Sequence, residues 1–218
     1  MKPVWIVMTI ALTTFVGSAQ SPVPSSSLAG PSDASEVPKD WAFTSDVETA
    51  VDLRPLVHQY GPGIKISAPG GLTIVRPSWV LSGTYTVSAL FQRTPVSSIS
   101  AGYGLIVGAK SATDGGMTFL VRPDGQFAVG KLSALTWALT TALRSPTADG
   151  PAVDRLEVRV RTSDVVFVVN GQPLAVVPIG VDALDGRPGV HVGADGEVLV
   201  AAFAVAGPAA WGGSTVTK

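Results

Sequence analysis

The chain contains 218 residues, of which 46% are apolar, and its formal net charge at pH 7 is -1. This length and apolar content are enough for one domain of ordinary size with a hydrophobic core. No run of Lys or Arg occurs, which excludes the electrostatic footprint of a nucleic-acid-binding protein, and the absence of cysteine excludes disulfides, thiolate nucleophiles and cysteine-based zinc sites.

The first 19 residues have the pattern of a secretion signal. Lys2 supplies a positive start, residues 4–16 are apolar, and the small residues at 17–19 suit a signal peptidase. We predict that residues 1–19 are removed, with a retained N-terminal anchor as the alternative. The apolar run is shorter than the roughly 20 residues that a membrane-spanning helix needs. We therefore expect a secreted or cell-envelope protein without a membrane span after cleavage, and the composition favours a bacterial source.

Two further segments have compositions typical of chain outside a folded domain. Residues 20–40 are dense in Pro, Ser and small residues, which predicts a disordered spacer. Residues 208–218 predict a flexible tail. The folded domain is expected at residues 41–207, with Trp41 packing its start.

Short β-strand patterns follow one another through residues 41–207, separated by turn residues. In the segment TYTVSALF, alternation predicts one buried face, formed by Tyr85, Val87, Ala89 and Phe91. In LEVRVR, the same alternation predicts a buried face of Leu156, Val158 and Val160 and an outward, charged face of Glu157, Arg159 and Arg161. Cross-strand partners must satisfy that charged face.

Two segments predict β-hairpins. FLVRPDGQFAVGK places Pro123, Asp124 and Gly125 in a tight turn, so we interpret Arg122 and the other charges as turn residues, not as a reaction site. DVVFVVNGQPLAVVP contains Asn-Gly between two β-rich runs, the strongest short-range signal for a type I′ turn.

The patterns add up to about ten to twelve strands. Only residues 47–57 and 132–143 could form short helices. Many short strands without helices to cover a sheet predict an all-β fold, a two-sheet antiparallel β-sandwich of the jelly-roll type.

The order of motifs from residue 64 to 205 resembles the concanavalin A-like lectin/glucanase superfamily. The resemblance lies in GGLTIV, LSGTYTVSALF, GYGLIVG, FLVRPDGQFAVGK, DRLEVRVRTSDVVFVVNGQPLAVV and GRPGVHVG followed by VLVAAFAV. It is strongest to the laminin-G-like branch, which includes the 3-keto-disaccharide hydrolase family, formerly a domain of unknown function. This likeness implies a curved sheet whose concave face often meets carbohydrate.

The residues argue against a hydrolase. Retaining glucanases need two carboxyl groups about 5 Å apart, and no Glu-x-Asp-x-x-Glu run occurs. Glu157 alternates with Arg159 and Arg161, and neighbouring cations favour an ionised carboxylate over a proton donor. Neither His58, at the start of a predicted loop, nor His191 lies beside a serine elbow. We therefore expect no enzymatic activity.

Exposed aromatic side chains are the most direct candidates for sugar contacts, because a flat ring packs against a sugar face. The candidates are Trp79, Trp137, Tyr60 and Tyr103, with core packing as the alternative for the two tryptophans. Polar candidates for the same ligand-binding set are His191, Glu157, Arg159 and Arg161. Since Val190 and Val192 flank His191, we expect its side chain to point away from the core into solvent.

We expect no cofactor. A structural calcium ion is the alternative, with Asp114, Asp149, Asp182 and Asp185 as acidic turn residues, but they lack the spacing of a calcium loop, which favours a role in turns.

The resulting hypothesis is a secreted, non-catalytic β-sandwich that binds a glycan or another surface polymer. Two alternatives remain. One is a hydrolase acting on a glycoside or sugar derivative, with Glu157 and a distant Asp as its carboxyl pair. The other is a structural or adhesive envelope module that binds protein through an exposed sheet edge.

Overall fold

The computed structural model describes residues 41–45, 57–61, 63–94, 102–114, 116–143, 152–180 and 184–207. In these residues the chain forms one 3₁₀ turn, Leu132–Ala134, and fourteen strands. In chain order the strands are β1 (Ala42–Ser45), β2 (Val57–Tyr60), β3 (Gly63–Ala68), β4 (Leu72–Val75), β5 (Tyr85–Arg93), β6 (Tyr103–Ala109), β7 (Met117–Arg122), β8 (Gln126–Gly130), β9 (Thr136–Leu139), β10 (Val153–Val160), β11 (Asp164–Val169), β12 (Gln172–Pro178), β13 (Arg187–Val192) and β14 (Gly196–Ala206).

The strands form two seven-stranded antiparallel sheets. The first sheet has the order β1-β4-β13-β6-β7-β8-β9, and the second has the order β12-β11-β10-β5-β14-β3-β2. The chain crosses between the sheets from β1 to β2, from β3 to β4 to β5 to β6, from β9 to β10, and from β12 to β13 to β14. The predicted all-β, two-sheet sandwich is confirmed, although it has more strands than the sequence patterns indicated.

The core lies between the two sheets and follows the predicted alternation. Along β5 and β10 the residues predicted to face inward are buried, and the residues that alternate with them are more exposed. Aromatic pairs join the sheets: the rings of Phe91 and Tyr103 lie 5.5 Å apart, as do those of Phe119 and Phe167. Such ring contacts stabilise the sandwich beyond the area that they bury.

Both predicted hairpins are present. In the β7–β8 turn, Gly125 has φ of 84°, its N–H donates to Arg122 O at 3.1 Å, and Asp124 Oδ1 accepts from Gln126 N at 3.1 Å. In the β11–β12 turn, Asn170 and Gly171 have φ of 50° and 85°, which both central residues of a type I′ turn require. Local backbone chemistry therefore determines both turns.

Two local expectations are wrong. Residues 132–143 form the 3₁₀ turn and strand β9, not a helix, because β9 gains a ladder of hydrogen bonds along β8. His58 lies in strand β2, opposite Lys65 of β3, and does not begin a loop.

The predicted signal peptide, spacer and C-terminal tail lie outside the described residues, as do residues 47–56 of the other possible helix. Those remain predictions. Within the described ranges, no helix has the length and apolar character needed to cross a membrane.

Candidate functional site

The face of the first sheet that points away from the core carries a row of residues in register across six strands. Phe119 and Val121 of β7 point into the core, so the residues that alternate with them point away from it. We call this surface the outer face. Its central row consists of Thr73, His191, Gly104, Leu120, Ala128 and Trp137.

The outer face is concave. A Cβ atom on Gly102, just before β6, would lie 2.9 Å from Cη2 of Trp137 on β9. Strands β7 and β8 lie between these two strands, and neighbouring strands are about 4.8 Å apart. One indole cannot span that separation on a flat sheet, so the sheet curls around this face. Curvature also explains why Leu120 and Ala128 are buried although they point away from the core.

An open pocket of about 510 Å³ lies on this concave surface, within the range of about 300–1,000 Å³ common for small-molecule sites. We call it the outer-face pocket. Its lining comes from strands β7, β9 and β13, from the residue before β6, from the 3₁₀ turn and the residue after it, and from the β13–β14 turn. The lining residues are Gly102, Leu120, Arg122, Leu132, Leu135, Trp137, His191, Gly193, Ala194 and Asp195.

Trp137 and Arg122 form one stacked unit in this pocket. The Arg122 Cζ atom lies 3.6 Å from the centroid of the Trp137 ring, in the geometry of a cation–π contact. Arg122 Nη1 also donates to Gln126 Oε1 at 3.4 Å, a long hydrogen bond. Among the described residues, nothing accepts a hydrogen bond from the buried Arg122 Nε. The stack therefore fixes the plane of the guanidinium and leaves donors unused.

Gly102 makes room for the indole. Any larger residue would place its Cβ within contact distance of Trp137 Cη2 and would force the ring to move. The missing side chain of Gly102 thus leaves the space that the indole occupies, and the stack on Arg122 orients the ring.

His191 lies beneath the pocket, where only 3% of its surface is exposed. Its Nδ1 and Thr73 Oγ1 are 3.0 Å apart, within hydrogen-bond distance. Burial lowers the pKa of His191 to about 4, so the imidazole is neutral at physiological pH. The expectation of a solvated histidine is wrong. Alternation determines the face to which a side chain points, but not how deeply curvature covers that face.

Glu157 and Arg159 lie far from this pocket, on the outer face of the second sheet. Glu157 contacts Arg159 Nε directly and lies 3.8 Å from Arg155 Nη2. Arg161 follows strand β10 and pairs with Asp164 at 3.6 Å. These charges form ion pairs along one strand face, and the fold does not bring them together with Trp137 or His191.

The other aromatic candidates also lie outside the pocket. Tyr103 is 1% exposed and points into the core, so its ring is not available as a binding surface, contrary to expectation. Tyr60 lies at the end of β2, an edge strand of the second sheet. Trp79 packs in a cluster in which the Arg76 guanidinium lies 4.4 Å from both its ring and that of Trp41.

A buried carboxylate, Asp154, lies at the core side of β10 and serves the structure. It accepts hydrogen bonds from Tyr103 Oη at 3.0 Å and from Asn170 Nδ2 at 2.8 Å. Asn170 Nδ2 also donates to Ala142 O, and its Oδ1 accepts from Arg155 N. Burial and the charge of Asp154 raise the pKa of Tyr103. These bonds tie the β11–β12 turn to the first sheet.

Two of the four acidic turn residues are described, and both stabilise loops. Asp185 Oδ1 accepts from Gly83 N at 3.1 Å, and Asp114 N donates to Ser111 Oγ at 3.0 Å. Asp149 and Asp182 lie outside the described residues. In the parts of the chain that are described, no three His, Asp or Glu residues are grouped to hold a metal ion.

Sequence reasoning missed the pocket residues Arg122, Gly102 and Asp195. The interpretation of Arg122 as only a turn residue is incomplete, because its side chain stacks on Trp137. A signal was present: Arg122 alternates with Phe119 and Val121, and this placed it on the outer side of β7.

At the level of sequence, no family model and no curated protein matches the chain. Its fold does match solved structures. The carbohydrate-binding module CBM66 from Bacillus subtilis is similar over 77% of this chain and 96% of the module, with a TM-score of 0.52 and 11% identity. A Bacillus subtilis protein of unknown function with a galectin-like fold is similar over 77% and 89% of the two chains, with a TM-score of 0.53 and 15% identity.

A sialidase is also similar, with a TM-score of 0.52 and 13% identity over 78% of this chain. The match covers 17% of the sialidase, so it concerns one part of that larger protein. At such identities the likeness shows the fold and nothing more, and the laminin-G-like branch remains a prediction. The chain has the galectin-like β-sandwich fold of these structures, and this fold is consistent with the concanavalin A-like lectin/glucanase resemblance of its motifs.

Proposed function

We propose that the protein binds a carbohydrate in the outer-face pocket and does not cleave it. The observation that carries this proposal is the Trp137 indole, which Gly102 and Arg122 hold in a fixed position in an open, concave pocket. Sugars bind proteins by packing their C–H faces on aromatic rings while polar groups at the ring edge bond the hydroxyls.

The rest of the lining fits this chemistry. Leu132 and Leu135 extend the apolar surface, while Arg122 offers donors and Asp195 offers a carboxylate that can accept from hydroxyls. Leu139, on the same face of β9 as Trp137, is 81% exposed. An exposed leucine beside the pocket adds apolar surface for a ligand longer than one sugar unit.

Two of the structures with the same fold support the choice of ligand class. One is a carbohydrate-binding module, and another has a galectin-like fold. The fold thus occurs in a carbohydrate-binding module, and the lining of the outer-face pocket supplies apolar and polar groups that can contact a sugar.

The number and the positions of the carboxylates favour binding without cleavage. Among the described lining residues Asp195 is the one carboxylate, whereas hydrolysis by two carboxyl groups requires a pair about 5–10 Å apart. Glu157, the acid proposed for the alternative hydrolase, is on the other sheet between two arginines. We also propose export, on the basis of the leader at residues 1–19, and N-terminal sequencing of secreted protein tests this.

Glycan-array and polysaccharide-binding measurements test the proposed function. Trp137→Ala should weaken binding of the best glycan about tenfold or more, because stacking and the area that it buries together exceed about 1.4 kcal/mol. Gly102→Ala should weaken it as well by displacing the ring. Circular dichroism must show that both variants are folded.

Trp79→Ala is the matched control, since Trp79 is a tryptophan outside the pocket, and the folded variant should keep wild-type affinity. Wild-type affinity in both Trp137→Ala and Gly102→Ala would refute the proposed site. Binding to no glycan would refute the function and would favour the adhesive alternative.

A further inference from the structure

We infer that the outer-face pocket selects an acidic saccharide, a sugar unit that carries a carboxylate, and that Arg122 is the residue that determines this specificity. This inference rests on the proposed function and specifies its ligand class.

The first reason is the charge of Arg122. Its guanidinium is half-buried, and no carboxylate of the described residues forms an ion pair with it. By contrast, Arg159 and Arg161 on the second sheet each pair with an acid. A partly desolvated cation without a counter-charge is costly, and an anionic ligand group would offset that cost.

The second reason is geometry. A guanidinium has five N–H donors in a planar fork, and this fork matches the two oxygens of a carboxylate. Gln126 occupies one donor group through a long contact, and stacking on Trp137 fixes the plane of the others. A carboxylate bound by Arg122 would leave the sugar ring beside the indole.

The third reason is the distribution of the other polar groups. Asp195 lies in the β13–β14 turn, and strand β6 separates it from Arg122 on β7. The two groups form no ion pair, so the carboxylate of Asp195 does not neutralise the guanidinium. His191 adds no charge, because it is buried and neutral. A ligand with a carboxylate at one end and hydroxyls at the other fits this pattern.

Chemical reduction of the ligand gives the sharpest test, because it leaves the protein unchanged. Calorimetry would compare oligomers of galacturonate, glucuronate, mannuronate and sialate with the same oligomers after reduction of their carboxyl groups to primary alcohols. At least one native oligomer should bind at least about tenfold more tightly than its reduced form, as expected when a charge-assisted bidentate contact is lost.

Variants then identify the residue. Arg122→Gln should lower the affinity for the native oligomer to that of the reduced one, whereas Arg122→Lys, which keeps the charge but lacks the fork, should fall between them. Arg161→Gln removes an arginine from the other sheet and should keep the full preference. Because the chain has five tryptophans, tryptophan fluorescence compared with that of Trp137→Phe reports whether Trp137 stays in place in the Arg122 variants.

The possible outcomes distinguish three claims: that the pocket binds a glycan, that the glycan is acidic, and that Arg122 determines this preference. Equal affinity for native and reduced oligomers, or binding of neutral glycans alone, would overturn the acidic ligand and leave the proposed function intact. A preference for a sulfated oligomer of equal charge over every carboxylated one would also overturn it. A preference for native oligomers that persists in Arg122→Gln would overturn the role of Arg122.

Discussion

The buried imidazole of His191 makes the stability of the protein depend on pH. Its pKa is about 4 in the folded protein, and the ordinary value of 6.5 applies when the chain unfolds. Because the folded pKa is the lower one, the unfolded chain binds a proton first as the pH falls. Stability is therefore complete above about pH 6.5, decreases between about 6.5 and 4, and then levels off.

The magnitude follows from the two pKa values. Each pH unit in this window costs up to about 1.4 kcal/mol, so between about pH 7.5 and pH 4.5 the folded state loses about 2–3 kcal/mol through His191. With a urea dependence of about 2 kcal/mol per molar, the unfolding midpoint should fall by about 1 M. Arg122 and Asp195 line the same pocket, so ionic strength should be held constant.

The assay is urea unfolding across this pH range in the wild type and in His191→Asn, whose amide can keep a hydrogen bond to Thr73. Carboxylates titrate in both proteins, so the difference between their profiles isolates the histidine. His58→Gln is the matched control and should keep the pH-dependent loss of stability that His191 causes, because His191 remains. Wild-type and His191→Asn profiles that stay parallel to within about 1 kcal/mol would refute the reasoning.

Two further predictions concern contacts outside the outer-face pocket. Asn170→Ala should lower the free energy of unfolding by about 2–4 kcal/mol, because it removes one hydrogen-bond donor from buried Asp154 and places alanine, which tolerates positive φ less well than asparagine, at φ of 50°. Asn170→Gly also loses the hydrogen bond to Asp154, but glycine tolerates the positive φ, so it should cost about 1 kcal/mol less than Asn170→Ala. Equal thermal stability of the two variants would contradict this account. Trp79→Ala should cost about 1–2 kcal/mol by removing its stack on Arg76, and an unchanged urea midpoint would show that the stack contributes nothing.

Much of the fold could be predicted because the relevant signals are local. Alternation along β5 and β10 identified the buried faces, and Asn170-Gly171 and Pro123-Asp124-Gly125 identified two turns from backbone preferences alone. The 3₁₀ turn and β9 were not predicted, because a four-residue edge strand has too few alternations to stand out, and its pairing with β8 decides its conformation.

The candidate site was only partly predictable. Trp137 and His191 were selected by residue type, but so were Tyr103, which is in the core, and Glu157, which is on the other sheet. Residue type and alternation indicate which side chains of a strand point away from the core. They do not indicate which of the two sheets a strand joins, and that choice separates Glu157 from Trp137.

The sequence by itself thus determined the fold class, the two hairpins and the inward faces of the long strands, because each depends on residues adjacent in the chain. Only the tertiary structure decided the pocket. Arg122, Trp137 and His191 are far apart in the chain and meet through the pairing order and the curvature of the first sheet. Both properties arise from contacts distant in sequence, as does the burial that keeps His191 neutral.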